Sequence, residues 1–307
     1  MVQTKRLIAL ILLAIPGVAW AAPGPADGDF AGAIEMDGRK MHLECKGTGA
    51  PTVILISGYR NDAEIWTMPP GPGIEPVLAG VAGFTRVCAY GRPGTILDAT
   101  HKGRSDPLPM PRTAEDVVFE LHDLLDAAQI GGPYVLVAHS LGGLFARLYA
   151  SLYPNDVAGL VLVDAWPEAM PTLLGPEQWQ AYQALAAAPP PGLEAYRDLE
   201  SIDFGAASEQ MEDAAAHQPL YGIPLFVLSR GKPVALPPNV PANFSQDAFE
   251  AAWRKGQDQL AALLTDAKHV IATKSDHYIQ LEQPDLVIDA VRQVVDAVRD
   301  PTAWRAQ

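Results

Sequence analysis

Two hydrophobic periods alternate along this chain. Short, largely apolar runs occur at Thr52–Ile56, Thr85–Tyr90, Val135–Ala138, Ala158–Val163, Pro224–Leu228 and His269–Ala272. They are too brief for helices and too uniformly apolar for strands with one wet face, so they predict strands covered on both sides. Between them, apolar positions recur at helical spacing. Thr113 caps one such stretch, with Glu115 and Asp116 in its first turn and Val117, Val118, Leu121, Leu124 and Leu125 along one face. Further helices are expected over Leu144–Tyr153, Ser245–Leu264 and Pro284–Val298, and over Ala63–Val81 with a break at Pro69-Pro70-Gly71-Pro72. Strands alternating with helices argue for an α/β fold: a mostly parallel central sheet flanked by helices. Ahead of it, Gly32–Cys45 reads as a hairpin turning at Asp37-Gly38. The stretch from Ala165 to Tyr221 has no strand pattern, is rich in Ala and Pro, and carries Trp166, Met170, Trp179 and Met211. It reads as a helical cap inserted at about residues 165–221 of a domain spanning 32–300, behind a Pro/Gly linker at 22–31.

Candidate chemistry concentrates where one strand meets its helix. In Tyr134-Val-Leu-Val-Ala-His-Ser140-Leu-Gly-Gly the apolar run ends on a serine, and Gly142 and Gly143 let the following helix pack closely on its neighbours. A serine at such a turn is a candidate nucleophile.

Composition narrows the class. With 49% hydrophobic and 19% charged residues the chain is globular, and its formal net charge of −14 makes nucleic acid and anionic membrane surfaces improbable partners. Residues 1–21 follow the pattern of a secretory signal peptide: Lys5 and Arg6, an apolar run from Leu7 to Ile15, Pro16-Gly17, then small residues at 19 and 21. The run is short for a spanning helix, so stable membrane anchoring is not expected; a periplasmic or secreted location is. Cys45 and Cys88 would then meet an oxidising compartment that permits a disulfide. Two cysteines without clustered histidines give a structural zinc site no support.

The order of strand, Ser-x-Gly turn, acid at a later strand end and histidine near the C-terminus resembles the α/β-hydrolase family over nearly the whole chain. Cys88-Ala-Tyr-Gly-Arg-Pro-Gly94, Leu160-Val-Leu-Val-Asp164 and His277-Tyr-Ile-Gln-Leu-Glu-Gln-Pro284 are similar to a secreted esterase/lipase-like subgroup. The resemblance implies the α/β-hydrolase fold and a nucleophile elbow at Ser140. It implies His277 as general base, because an imidazole takes and returns a proton near neutral pH. The acid is less determined. The usual place follows the Pro224 strand, where this chain has Ser229-Arg230-Gly231-Lys232-Pro233; Asp164, one strand earlier, is favoured, with Glu168 second in the same loop. Asp276 adjoins His277 and suits a turn hydrogen bond. Oxyanion donors are implied at the backbone N–H groups of Leu141 and Tyr59. The family's arrangement also sets the Cys45 strand beside the Cys88 strand, implying a bridge between them. Three departures stand out: Ala138 replaces the elbow's first glycine, Ser57 replaces a histidine before Gly58, and Gly91 replaces the aspartate of Y-D-R-P-G, which leaves a loop-fixing carboxylate unaccounted for. His139 is expected to point away from the hydroxyl and serve packing or shape.

The expected function is a serine hydrolase acting on small apolar carboxylic esters, without cofactor or metal. Peptidase, thioesterase, acyltransferase and C–C hydrolase activities use the same machinery. A binding or sensing protein on this fold is the reading from another class.

Overall fold

In the computed structural model, which describes residues 28–98, 100–237 and 240–305, eight strands form one sheet. The segment expected as a signal peptide and the linker's first residues lie outside the described residues. In chain order the strands are β1 (Phe30–Met36), β2 (Arg39–Lys46), β3 (Val53–Ile56), β4 (Val87–Gly91), β5 (Tyr134–His139), β6 (Val157–Val163), β7 (Leu225–Arg230) and β8 (Lys268–Ala272). Their spatial order is β1-β2-β4-β3-β5-β6-β7-β8, antiparallel for the first two pairings and parallel thereafter. The helices are α1 (Glu64–Thr67), α2 (Val77–Ala82), α3 (Ala114–Ala127), α4 (Leu141–Leu152), α5 (Met170–Ala187), α6 (Phe204–His217), α7 (Gln246–Ala261), α8 (Ile279–Glu282), α9 (Pro284–Arg299) and α10 (Pro301–Arg305).

The pleat explains the continuous apolar runs. Ile54, Ile56, Leu136, Ala138, Leu160 and Leu162 point into one core with α3, α4 and α7, while Val53, Leu55, Val135, Val137, Val161 and Val163 point into the other with α2 and α9. Thr113 forms the expected capping box: its hydroxyl accepts from the Asp116 amide, and the Asp116 carboxylate accepts from the Thr113 amide.

Several boundaries differ from the sequence reading, each for a pairing reason. β1 starts at Phe30, inside the expected linker, because Phe30 pairs with Cys45 across the hairpin. At the turn Asp37 and Gly38 both have positive φ, 46° and 80°. β4 runs through Gly91, which pairs with His42. β7 extends through Ser229 and Arg230, which pair with Ile271 and Ala272, so both lie on the strand instead of after it. α4 begins three residues earlier than its apolar spacing suggests, directly after Ser140. Cys45 faces Cys88 across β2 and β4, and the two are joined in a disulfide. Such a link contributes about 2–4 kcal/mol, mainly by restricting the unfolded chain. Between β6 and β7 the chain forms α5, kinked at Gly175 (φ 71°), and α6, with no strand.

Candidate active site

The C-terminal ends of the parallel strands bring the singled-out residues together, the usual place for a site in an open α/β sheet. Ser140 follows β5 with φ 52° and ψ −128°, a conformation that costs a non-glycine residue on the order of 1–3 kcal/mol. The neighbours hold it there: its amide donates to Val163 O (3.1 Å), and its carbonyl accepts from the amides of Trp166 (2.7 Å) and Gly143 (2.9 Å). Close packing explains both glycines of the turn. A Cβ on Gly142 would lie 2.6 Å from the carbonyl oxygens of Ile56 and Ser57, and one on Gly143 would lie 2.3 Å from the Ala165 Cβ. Ala138 sits in β5 between Ile56 and Leu162, fully buried, and the turn forms with its methyl in place.

Asp164, after β6, also has positive φ (41°), which turns it off the strand end. Its buried carboxylate accepts four hydrogen bonds. Oδ2 takes His277 Nδ1 (2.6 Å) and Arg230 Nη1 (2.8 Å); Oδ1 takes the Arg230 amide (3.1 Å) and Trp253 Nε1 (2.9 Å). Burial pushes this carboxyl up, but Arg230 and the bonds from His277 and Trp253 overcome it and hold the group well below the usual carboxylate range. His277, in the turn between β8 and α8, places Nε2 at 2.9 Å from Ser140 Oγ. An ionised carboxylate only accepts, so Nδ1 carries the proton and Nε2 is free to accept the serine hydroxyl.

The other acidic candidates are engaged elsewhere. Glu168 pairs with Arg147 (2.7 Å), and Asp276 accepts the Tyr278 amide (3.1 Å) in a turn. Among the remaining histidines, His101 pairs with Asp98, His122 stacks on Tyr153, His217 bonds back to Asp213, and His269 Nε2 lies 2.7 Å from Ser229 Oγ. Ser229 and His269 line a cavity of about 280 Å³ that shares Arg230 and Trp253 with the Ser140 pocket but does not include Ser140.

His139 does more than fill space. Its Nε2 donates to the His277 carbonyl (2.8 Å), and its ring lies 4.6 Å from the His277 ring. Complete burial, with His277 beside it, lowers its pKa to about 3, so it is neutral.

The loop after β3 lies directly over Ser140. A Cβ on Gly58 would be 2.9 Å from both Ser140 Cβ and His139 Nδ1, so only glycine permits this approach. The Tyr59 amide next along has no backbone acceptor among the described residues, and the Leu141 amide is the first of α4. Ser57 braces the loop: its hydroxyl donates to Asp62 O (2.9 Å) and accepts from Trp66 Nε1 (3.1 Å). Arg92 donates to Ser57 O (2.9 Å) and Gly58 O (2.7 Å), and is paired with Glu200 through Nε (2.6 Å). Burial pulls on the Arg92 charge, but Glu200 more than restores it, so the guanidinium stays ionised. Glu200 also accepts the Arg60 amide (2.5 Å), tying the stretch between α5 and α6 to the loop.

The carboxylate that Gly91 lacks is supplied from another part of the chain. Asp62 is buried and accepts Thr95 Oγ1 (2.6 Å) and the Ala63 amide (2.7 Å). A Cβ on Gly91 would sit 2.6–2.9 Å from that carboxylate, so the Asp62 group occupies the space a side chain at 91 would need.

A model of the Alpha/beta hydrolase family matches residues 53–290. The chain belongs to the alpha/beta hydrolase family. YqjL, an uncharacterised protein of Bacillus subtilis, is 25% identical over 84% of this chain and 89% of its own. A thermophilic esterase from Thermogutta terrifontis superposes with a TM-score of 0.57 at 19% identity, covering 88% of this chain and 99% of the esterase. The haloalkane dehalogenase DatA from Agrobacterium tumefaciens gives 0.55 at 18% identity, covering 89% and 98%. Alpha/beta hydrolases of different chemistry thus share this fold, and the side chains at the strand ends must choose between them.

Proposed function

We propose that the chain is a serine hydrolase of carboxylic esters working through an acyl-enzyme. The observation that carries this reading is the unbroken chain from Ser140 Oγ to His277 Nε2 (2.9 Å) and from His277 Nδ1 to Asp164 Oδ2 (2.6 Å). Dehalogenation through a covalent ester would need a carboxylate at the elbow, where this chain has a hydroxyl. A binding protein would draw support from the missing acid after the Pro224 strand and from the Gly91 change; against it, Asp164 meets the histidine, and Asp62 fills the space beside Gly91.

In the proposed cycle Ser140 Oγ attacks the ester carbonyl as His277 Nε2 takes its proton. The oxyanion is met by the Tyr59 and Leu141 amides, and Asp164 stabilises the imidazolium. The intermediate collapses as Nε2–H protonates the departing alcohol, leaving an acyl-serine. Water, losing a proton to Nε2, attacks the acyl carbon; return of that proton to Oγ frees the acid and restores the enzyme. The reading includes export, supported by the N-terminal pattern and the disulfide, with an enzyme acting in the periplasm or outside the cell.

The test is ester turnover by protein recovered from the exported fraction, whose intact mass should lack residues 1–21. Ser140→Ala should lower kcat/KM by about 10⁴-fold or more, and Asp164→Asn, which favours the wrong imidazole tautomer, by about 10⁴-fold. An Asp164→Asn variant near wild-type activity removes Asp164 from the triad, and an active Ser140→Ala removes the mechanism.

A further inference from the structure

The pocket against Ser140 has a shape that selects substrates. Four aromatic rings pack on one another along one side of it. Trp166 lies 5.0 Å from Tyr182, Tyr182 is stacked 5.7 Å from Phe249, Phe249 is 5.6 Å from Trp253, and Trp253 returns to Trp166 at 5.7 Å. They come from the loop after β6, from α5 and from α7, so three separate elements converge to make one aromatic wall. Ser140 and His277 line the same cavity, whose volume is about 180 Å³. Leu185 and Phe244, both half-buried, line it too. The Arg230 guanidinium on the wall is already bonded to Asp164 (2.8 Å) and Glu250 (3.0 Å), so it offers no free charge to an ionic substrate.

Volume sets the limit. An apolar protein cavity of about 150 Å³ holds a benzene molecule, so a pocket of about 180 Å³ is sized for a group of that order. Rings also gain from offset or edge contacts that an alkyl chain of equal volume does not make. We propose that the preferred substrates are neutral esters carrying a compact aromatic group, one benzene ring in size, on one side of the scissile bond. This rests on the ester-hydrolase reading and narrows it. The ring can belong to the acyl or to the alcohol half, and the assay separates these.

The test uses the mature protein and a pH-stat, so that no aromatic reporter group occupies the pocket. One arm holds the alcohol as methyl and varies the acid: acetate, butyrate, octanoate, laurate, phenylacetate and cyclohexylacetate. The other holds acetate and varies the alcohol: methyl, butyl, octyl, dodecyl, benzyl and cyclohexylmethyl. In one arm kcat/KM should stop rising near butyl to hexyl size, and the phenyl member should exceed its cyclohexyl partner by roughly two- to tenfold. Leu185→Ala and Phe244→Ala, half-buried and outside the Ser140–His277–Asp164 chain, should move the optimum to octyl or longer. Rates that keep rising through dodecyl in both arms, or enlarged variants with unchanged preference, overturn the proposal while the hydrolase reading stands. If no ester is turned over and a serine-directed phosphonate fails to label Ser140, the hydrolase reading itself falls, and this proposal with it.

Discussion

Ser140 is flanked by two buried ion-pair networks that differ in what they touch. On one side Glu250, Arg230 and Asp164 run in contact to His277, so their charges act on the group that moves the proton in the proposed cycle. On the other, Arg92 and Glu200 touch the backbone carbonyls and amide of the Ser57–Arg60 loop and act on position alone. Two equally buried sets of charges therefore have separable signatures: one is read in the pH profile, the other in kcat and stability.

The position side gives the largest effect. Glu200→Gln strands Arg92, whose side chain has no solvent exposure, and loss of one partner of such a pair costs about 3–5 kcal/mol. The loop should then shift, and displaced donors lower kcat by about 10- to 100-fold with little change in KM. Replacing both partners, as Arg92→Met with Glu200→Leu, should recover much of the stability, since an apolar pair of similar size avoids the stranded charge. It should not recover kcat, because Ser57 O and Gly58 O stay unanchored. Urea unfolding beside steady-state kinetics decides this, and a double variant with restored kcat would reduce the pair to a folding device.

The charge side is subtler and has a sign. In the proposed cycle His277 Nε2 must take the serine proton, so a charge beside it alters how readily it does so. Arg230, a cation on the same carboxylate, disfavours that transfer, and Glu250 offsets Arg230. The other groups against the imidazole are Asp164, neutral His139, Tyr278 and the Trp253 indole. Arg230→Met should move the acid limb of kcat/KM to higher pH, and Glu250→Gln should move it to lower pH, each by on the order of half a pH unit. A network that only shaped the site would lower the rate in both variants and leave the limb in place. Shifts of the same direction would break the contrast between the two flanks.

How much of this was legible in the sequence follows the same division. Ser140, Asp164 and the Cys45–Cys88 pairing sit at ends or in register positions of strands, and His277 sits in the turn after the last strand, places that apolar runs and motifs mark directly. Arg92 lay within a recognisable motif, but its target, two backbone carbonyls, has no sequence signature. Arg230 was visible as the cation standing where an acid is usual, yet its bond to Asp164 depends on β7 running two residues further than its apolar run. Glu200 lies in an irregular stretch between two helices, where no period fixes orientation. Asp62 filling the space beside Gly91 is a contact between loops, and local sequence does not encode it. Its place before Ser140 turns His139 away from the hydroxyl and predicts packing or shape, but it says nothing of the His277 carbonyl that the ring meets.

That histidine gives the last test, one of stability more than rate. His139 is lowered from 6.5 to about 3, first by burial and then by His277. Between those values the unfolded chain binds a proton that the folded chain does not, so stability must fall as pH drops from about 6.5 towards 3, by up to about 1.4 kcal/mol per unit. His42, lowered by burial and Arg104, adds to the same side of that window, and Asp164 adds below the ordinary carboxylate range. His139→Gln keeps an N–H donor for the His277 carbonyl but removes the titration. Its stability against pH, from urea midpoints between pH 6.5 and 4, should therefore decline more gently than wild type by up to one proton's slope. Parallel curves would mean that His139 takes up its proton in the folded state, and that the ring beneath the base is not the dry, neutral support its burial implies.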